Sequence, residues 1–154
     1  IAKTISGGHP FGVVCGRADI MDFAGPSTML TGDHVRLTGT YSGNPISTAV
    51  ALAIIGELKK PGVYDEVNRK GNKLKNALSD MLNKNGIPAQ VLGEATAFQP
   101  WFSSVDVVDH RTTLTHDWNK HNRLIDLLLD RGIVKGHEKF FVSVSHSDED
   151  IDYT

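Results

Sequence analysis

Residues 46–60, ISTAVALAIIGELKK, are apolar around almost the whole circumference of a helix, and no stretch of the sequence constrains the fold more. Asn44-Pro45 starts that helix: asparagine suits the N-cap, and proline suits the first helical position, where its missing N–H costs nothing. A helix without a polar face has to be enclosed by other layers. A chain of 154 residues has few layers to offer, so this helix is expected to belong to a larger α/β domain of which residues 1–60 are a part.

Pro61-Gly62 ends that pattern and a different one begins. Val67, Leu74, Leu78, Met81 and Leu82 form one apolar stripe at helical spacing, with Arg69, Lys70, Lys73 and Lys84 outside it, and Gly86 closes the helix. Strands are expected at Ala89–Leu92 and Ala97–Phe102. A second amphipathic helix is expected around His116–Arg131, with Trp118, Leu124, Ile125, Leu128 and Leu129 inward and Gly132 as its stop. "KFFVSVSH" alternates at Val142 and Val144 as a strand does. Residues 61–154 therefore read as a small α+β lobe, separate from residues 1–60.

Before residue 44 the signals are shorter. Ile1 to Ile5 favour a strand end, Phe11–Cys15 reads as a buried strand, and a short helical stretch follows near Ala18–Phe23. Residues 24–33 are rich in Gly, Pro, Ser and Thr and read as loop. The last stretch, "HSDEDIDYT", has helix-start chemistry, with Ser147 as N-cap and Asp148, Glu149 and Asp150 in the first turn. No helix body follows it, and the first residue is isoleucine inside an apolar run. The chain is expected to be an interior piece of a longer protein.

Composition excludes several classes. The net charge is −2, with both signs spread along the chain, whereas nucleic-acid binding relies on clustered cations. No apolar run approaches the roughly 20 residues that span a bilayer. A single cysteine, Cys15, precludes an internal disulfide and suits a reducing, cytoplasmic compartment.

Three features carry candidate chemistry. Lys3 stands among apolar residues and just ahead of Gly7-Gly8, where glycines let a flat ligand approach the backbone. A partly desolvated lysine there offers a neutral amine for covalent catalysis, although a surface lysine beside a glycine pair is also common. Gly39-Thr40-Tyr41-Ser42-Gly43 offers a hydroxyl and backbone N–H groups ahead of a helix, suited to an oxyanion such as phosphate; a plain capping turn looks the same. The seven histidines do not make a metal site. His116 and His121 are five apart on the expected helix, not the four that would share a face, and no HExxH occurs. Neither glycine-rich stretch is a nucleotide P-loop.

Taken together, "AKTISGGHPFGVVCGRADIM", "TGTYSGNPISTAVALAIIGELKKPGVYDEV" and "FFVSVSHSDEDID" resemble the class III aminotransferases. These are pyridoxal-phosphate-dependent enzymes of fold type I. The likeness is nearest to the glutamate-1-semialdehyde aminomutases and their β- and ω-transaminase relatives. The resemblance implies that Lys3 forms the Schiff base with pyridoxal 5′-phosphate and acts as catalytic base. It implies that Gly39 and Thr40 bind the cofactor phosphate and reach the neighbouring subunit's site, so that the enzyme is a homodimer acting on small amino and keto substrates. Residues 1–60 then end the cofactor-binding large domain, and residues 61–154 form most of the small C-terminal domain. Between Gly132 and Phe141 the aminomutases usually carry a slightly longer stretch with a Ser-x-Phe-Glu pattern; here it reads "IVKGHEKF". Glu138 stands there for that substrate-side glutamate to within a residue or two of alignment, and this departure implies a transaminase at least as much as an aminomutase. The family's ring-binding aspartate and stacking aromatic belong to an upstream segment. Transaminase, aminomutase and racemase share every residue named here, and a non-catalytic relative acting as a binding protein is the reading from another class.

Overall fold

The computed structural model describes residues 3–154, with Lys3 described in its backbone only. The chain divides into two compact units, residues 1–60 and 61–154.

In the first unit, Lys3–Ser6 is a turn of 3-10 helix and not a strand end; Gly7 and Gly8 then turn the chain with φ of 60° and 91°. Phe11–Cys15 is not a buried strand either. Among the described residues it carries only an isolated bridge at Gly12, and most of it is exposed. An apolar run favours a strand, but composition alone does not bury it. The helical stretch expected near Ala18–Phe23 is α1 (Ala18–Met21) running into a 3-10 turn at Asp22–Ala24, and a second such turn spans Pro26–Thr28. The Thr28 hydroxyl lies 2.9 Å from the carbonyls of both Phe23 and Gly25, so the connection is ordered by turns.

Helix α2 (Pro45–Leu58) begins as its sequence dictates. Asn44 Oδ1 accepts from the N–H groups of Ile46 and Ser47 at 3.0 and 3.2 Å, and Pro45 has no N–H to satisfy. The buried residues of α2 are the small Ser47 and Ala51, one turn apart, and the helix packs against the Lys3–Ser6 turn. On the same helix Val50 and Ile54 lie 3.4 and 3.5 Å from where a β-carbon of Gly7 would be. Val50, Ile54 and Ile55 are half-buried, but the opposite face is uncovered: Leu52 is 71% exposed and Ile46 also faces outward.

The second unit has its own core. Helix α3 (Val63–Lys84) buries Val67, Lys70, Gly71, Leu78 and Leu82, with Leu74 half-buried on the same arc. Met81, expected inward, is exposed, because it lies on the flank beside that arc. Strands β1 (Gln90–Glu94) and β2 (Ala97–Trp101) pair antiparallel, Val91 opposite Pro100 and Gly93 opposite Phe98. Gly71 lets the hairpin tip reach the helix: a β-carbon there would stand 2.0 Å from the Ala95 carbonyl oxygen. After α4 (His110–Thr113), helix α5 (Trp118–Leu129) is capped by Asp117 and lays Leu124 and Leu128 on the core. Leu129, expected inward, is largely exposed and Trp118 partly so, packed on one side against His116 and His121; the first buried position of α5 is His121.

The last strand, β3 (Phe140–Phe141), is shorter than its alternation suggests and pairs antiparallel with β2, giving the order β1-β2-β3. Val142 is buried, but Val144 faces solvent, because residues 143–146 close into a turn in which Ser143 N–H donates to His146 Nδ1. Phe98 and Phe140 stack with centroids 5.3 Å apart in a core completed by Phe102 and Ile151. The C-terminal capping signal does have a helix body: α6 (Asp148–Tyr153), with Ser147 and Asp150 in a reciprocal capping box and Ile151 in the core. Arg69 pairs with Asp148 at 2.8 Å, Lys70 donates to the His146 carbonyl at 2.9 Å, and Lys73 pairs with Asp152, so α6 is fixed to α3.

Candidate functional site

In the first unit the Gly39–Gly43 turn and the Pro10–Gly12 loop together line a cavity of about 350 Å³. Two successive turns build its wall. Ser42 N–H donates to the Gly39 carbonyl at 2.9 Å, and Asn44 N–H to the Tyr41 carbonyl at 3.1 Å. Gly43 has φ of 71°, the left-handed value that the third position of the second turn requires for this closure. Neither the Thr40 hydroxyl nor the N–H groups of Thr40, Tyr41 and Gly43 have a partner among the described residues.

Asn44 decides where an anion can be held. Its side chain occupies the two helix N–H groups that would otherwise face the turn, and Pro45 lacks one. The exposed terminus of α2 therefore offers an oxyanion few free donors, and the turn ahead of it offers several. The donors expected ahead of the helix are present in the turn, and the Asn44 cap is the reason they lie there and not on α2.

Lys3 opens the 3-10 turn that rests on α2. Its side chain lies outside the described residues, so the backbone alone ties this position to the helix that carries the Thr40 turn. Ser6 in the same turn is fully buried and donates to the His9 carbonyl at 2.7 Å.

In the second unit Glu138 sits on the connection from α5 to β3, with an exposed side chain. Around it is a cluster that the sequence reading missed. Lys135 Nζ donates to the carbonyls of Gly136 and Glu138, each at 2.9 Å, and lies 5.2 Å above the centre of the Phe140 ring. Burial pushes the Lys135 ammonium down to about 8, and the Glu138 carboxylate acts in the opposite direction; the group keeps its charge at neutral pH.

His121 Nε2 lies 2.6 Å from the His137 carbonyl, and since a carbonyl can only accept, Nε2 carries the proton. His116 Nδ1 accepts from the Phe102 N–H at 3.0 Å, which leaves its proton on Nε2. The two imidazole rings meet edge to face at 5.0 Å, beside Trp118. Burial lowers both above all; for His121 the Lys135 charge acts in the same direction, and for His116 the neighbouring His121 does. The five-residue spacing had argued that the two histidines lie on different faces of one helix. They meet because His116 precedes the Asp117 cap and is not on the helix at all. Among the described residues no three His, Cys, Asp or Glu side chains converge as metal ligands, and no helix is long and apolar enough to cross a membrane.

Comparison with known proteins adds to this geometry. The sequence profile described as Aminotransferase class-III matches residues 1–152. A glutamate-1-semialdehyde 2,1-aminomutase of Persephonella marina is 34% identical over 157 aligned residues, covering 100% of this chain and 36% of that protein. Glutamate-1-semialdehyde 2,1-aminomutase 2 of Brevibacillus brevis is 31% identical, covering 100% and 35%. The chain thus spans about a third of the length of these relatives. Among solved structures, a β-phenylalanine aminotransferase from Variovorax paradoxus superposes with a TM-score of 0.86 at 25% identity, over 99% of this chain and 35% of that one. An ω-transaminase from Sphaerobacter thermophilus has the same fold over 97% of this chain and 34% of its own, with a TM-score of 0.84 at 24% identity.

Proposed function

Since the chain belongs to the class III aminotransferases, we propose that it supplies the C-terminal third of a pyridoxal-phosphate enzyme acting on small amino and keto compounds, as a transaminase or an aminomutase. The match of residues 1–152 to one family carries this reading. Residues 1–60 are then the end of the cofactor-binding domain and residues 61–154 the small domain.

The residues present suit the cofactor's phosphate. The Thr40 hydroxyl and the N–H groups of Thr40, Tyr41 and Gly43 are donors without partners, beside a cavity. They hold the phosphate, in the site of a second copy of the protein, which makes the working enzyme a homodimer. Lys3 would be the attachment residue, and its Nζ would take the proton from the substrate's α-carbon as base and, as acid, hand it to C4′ of the cofactor. The bound pyridoxal ring supplies the sink for the electrons left on that carbon. Glu138, exposed on the second unit, meets the substrate. The exposed, free Cys15 suits a reducing cytoplasm.

Borohydride reduction of the cofactor-loaded full-length protein tests the assignment. A pyridoxyl mass increment on the peptide containing Lys3, absent in Lys3→Ala together with turnover, is the expected result. Normal turnover in Lys3→Ala overturns it. Product analysis with a single amino acid separates transaminase, aminomutase and racemase.

A further inference from the structure

The connection from α5 to β3 has an unusual backbone. Three consecutive carbonyls, those of Gly136, His137 and Glu138, are captured by two side chains. Lys135 Nζ takes the first and third at 2.9 Å each, and His121 Nε2 takes the middle one at 2.6 Å. Both donors are tied to the core. His121 is 0% exposed, and Lys135 lies over the ring of buried Phe140. Trp118 stacks on the His137 ring at 5.5 Å, closing the loop from the outside.

The Glu138 side chain stands apart from this clasp. Its carbonyl is held, yet its carboxylate makes no hydrogen bond or ion pair within 4.0 Å among the described residues. Other titratable groups flank the loop: Lys139 and His146 line the same small cavity as Lys135, and His116 faces His121. None of them pairs with Glu138. A connection that only joins a helix to a strand does not need three carbonyls fixed by a cation and an imidazole. Such fixation removes backbone freedom around one free carboxylate, which is how a contact residue is pre-organised.

We propose that Lys135 and His121 are positioning residues that fix residues 136–138, so that the Glu138 carboxylate meets the amino or ammonium group of the substrate in one orientation. This rests on the reading of Glu138 as a substrate contact. The two donors act through the backbone, so their loss changes substrate affinity and leaves the cofactor in place.

The test uses the full-length, cofactor-loaded protein and four measurements: KM, kcat, cofactor absorbance and amide hydrogen exchange of residues 136–139. Glu138→Gln is expected to raise KM for the amino substrate about tenfold, the scale of one hydrogen bond to a charged group. Lys135→Met and His121→Leu should each raise KM by a similar factor and speed exchange of the loop amides, with cofactor absorbance unchanged. Neither should add to the loss in a Glu138→Gln background. His121→Gln, whose amide can donate to the same carbonyl, should recover most of the affinity. Faster exchange with wild-type KM in Lys135→Met, while Glu138→Gln raises KM, overturns the positioning role and leaves Glu138 standing. A wild-type KM in Glu138→Gln overturns the reading of Glu138 and the proposal with it. If His121→Leu does not fold, Lys135→Met on the loop itself carries the same comparison.

Discussion

Residues 61–154 bury most of what their sequence pattern says they should, and residues 3–60 do not. In the second unit Phe98, Phe102, Phe140, Leu78 and Ile151 form one contiguous core. In the first unit the buried residues among those described are Ser6, Ser47 and Ala51, while Leu30, Ile46 and Leu52 face outward. The first unit takes its order from caps and turns, the second from packing. Periodicity therefore reports where a covering layer is required, and it does not say which residues supply that layer. The comparison also separates roles: the proposed chemistry concentrates in the unit with little core, and stability in the unit with much.

Four experiments sharpen or break that division. The largest effect is expected from Lys3→Ala, which should lower turnover by at least about a thousandfold, as loss of a positioned proton-transfer group does, without shifting the thermal unfolding of residues 61–154. A large loss of stability in the second unit would break the division. Phe98→Ala should do the reverse. Removing a fully buried ring stacked on Phe140 costs about 3–5 kcal/mol, read as a lower denaturation midpoint, with cofactor affinity unchanged in the protein that remains folded. Thr40→Val should weaken cofactor binding about tenfold, measured by titration, and leave the unfolding midpoint where it was.

The smallest effect is a pH dependence confined to the second unit. Burial keeps His116 and His121 neutral in the fold, so both take up protons less readily than in the unfolded chain, where imidazoles titrate near 6.5. Between that value and the lower folded one the unfolded chain binds more protons. Stability is thus present above about pH 6.5 and lost progressively as pH falls below it. Hydrogen exchange at pH 5.5 and 7.5 should show residues 116–121 less protected at the lower pH. Equal protection would mean that the two rings are not buried in neutral form.

The sequence made legible whatever is written in local chemistry. Asn44-Pro45 starts a helix, Ser147 caps another, and the hairpin strands fall within a residue or two of their expected limits. The misses have a common cause in tertiary contact. Phe11–Cys15 has a strand's composition but only an isolated bridge and little burial, and Met81, Trp118 and Leu129 are apolar residues on the edge of a buried arc whose centre only packing fixes. Polar residues inside the core were invisible for the opposite reason. Lys70 is buried because the His146 carbonyl receives it, and His121 because the His137 carbonyl does; each partner lies far along the chain. The Thr40 turn was legible, since glycines, a hydroxyl and a cap stand in one short stretch. The Lys135 clasp was not, since it is made of backbone acceptors that any sequence possesses.

Gly71 has a mechanical consequence. With the Ala95 carbonyl pressed where a side chain would otherwise stand, any larger residue at position 71 would push the hairpin tip off α3. The helix, β1 and β2 therefore meet backbone to backbone, and the ion pairs to α6 add a third element to that contact. β3, which follows the Glu138 loop, is paired to β2 and so joins the same set of contacts.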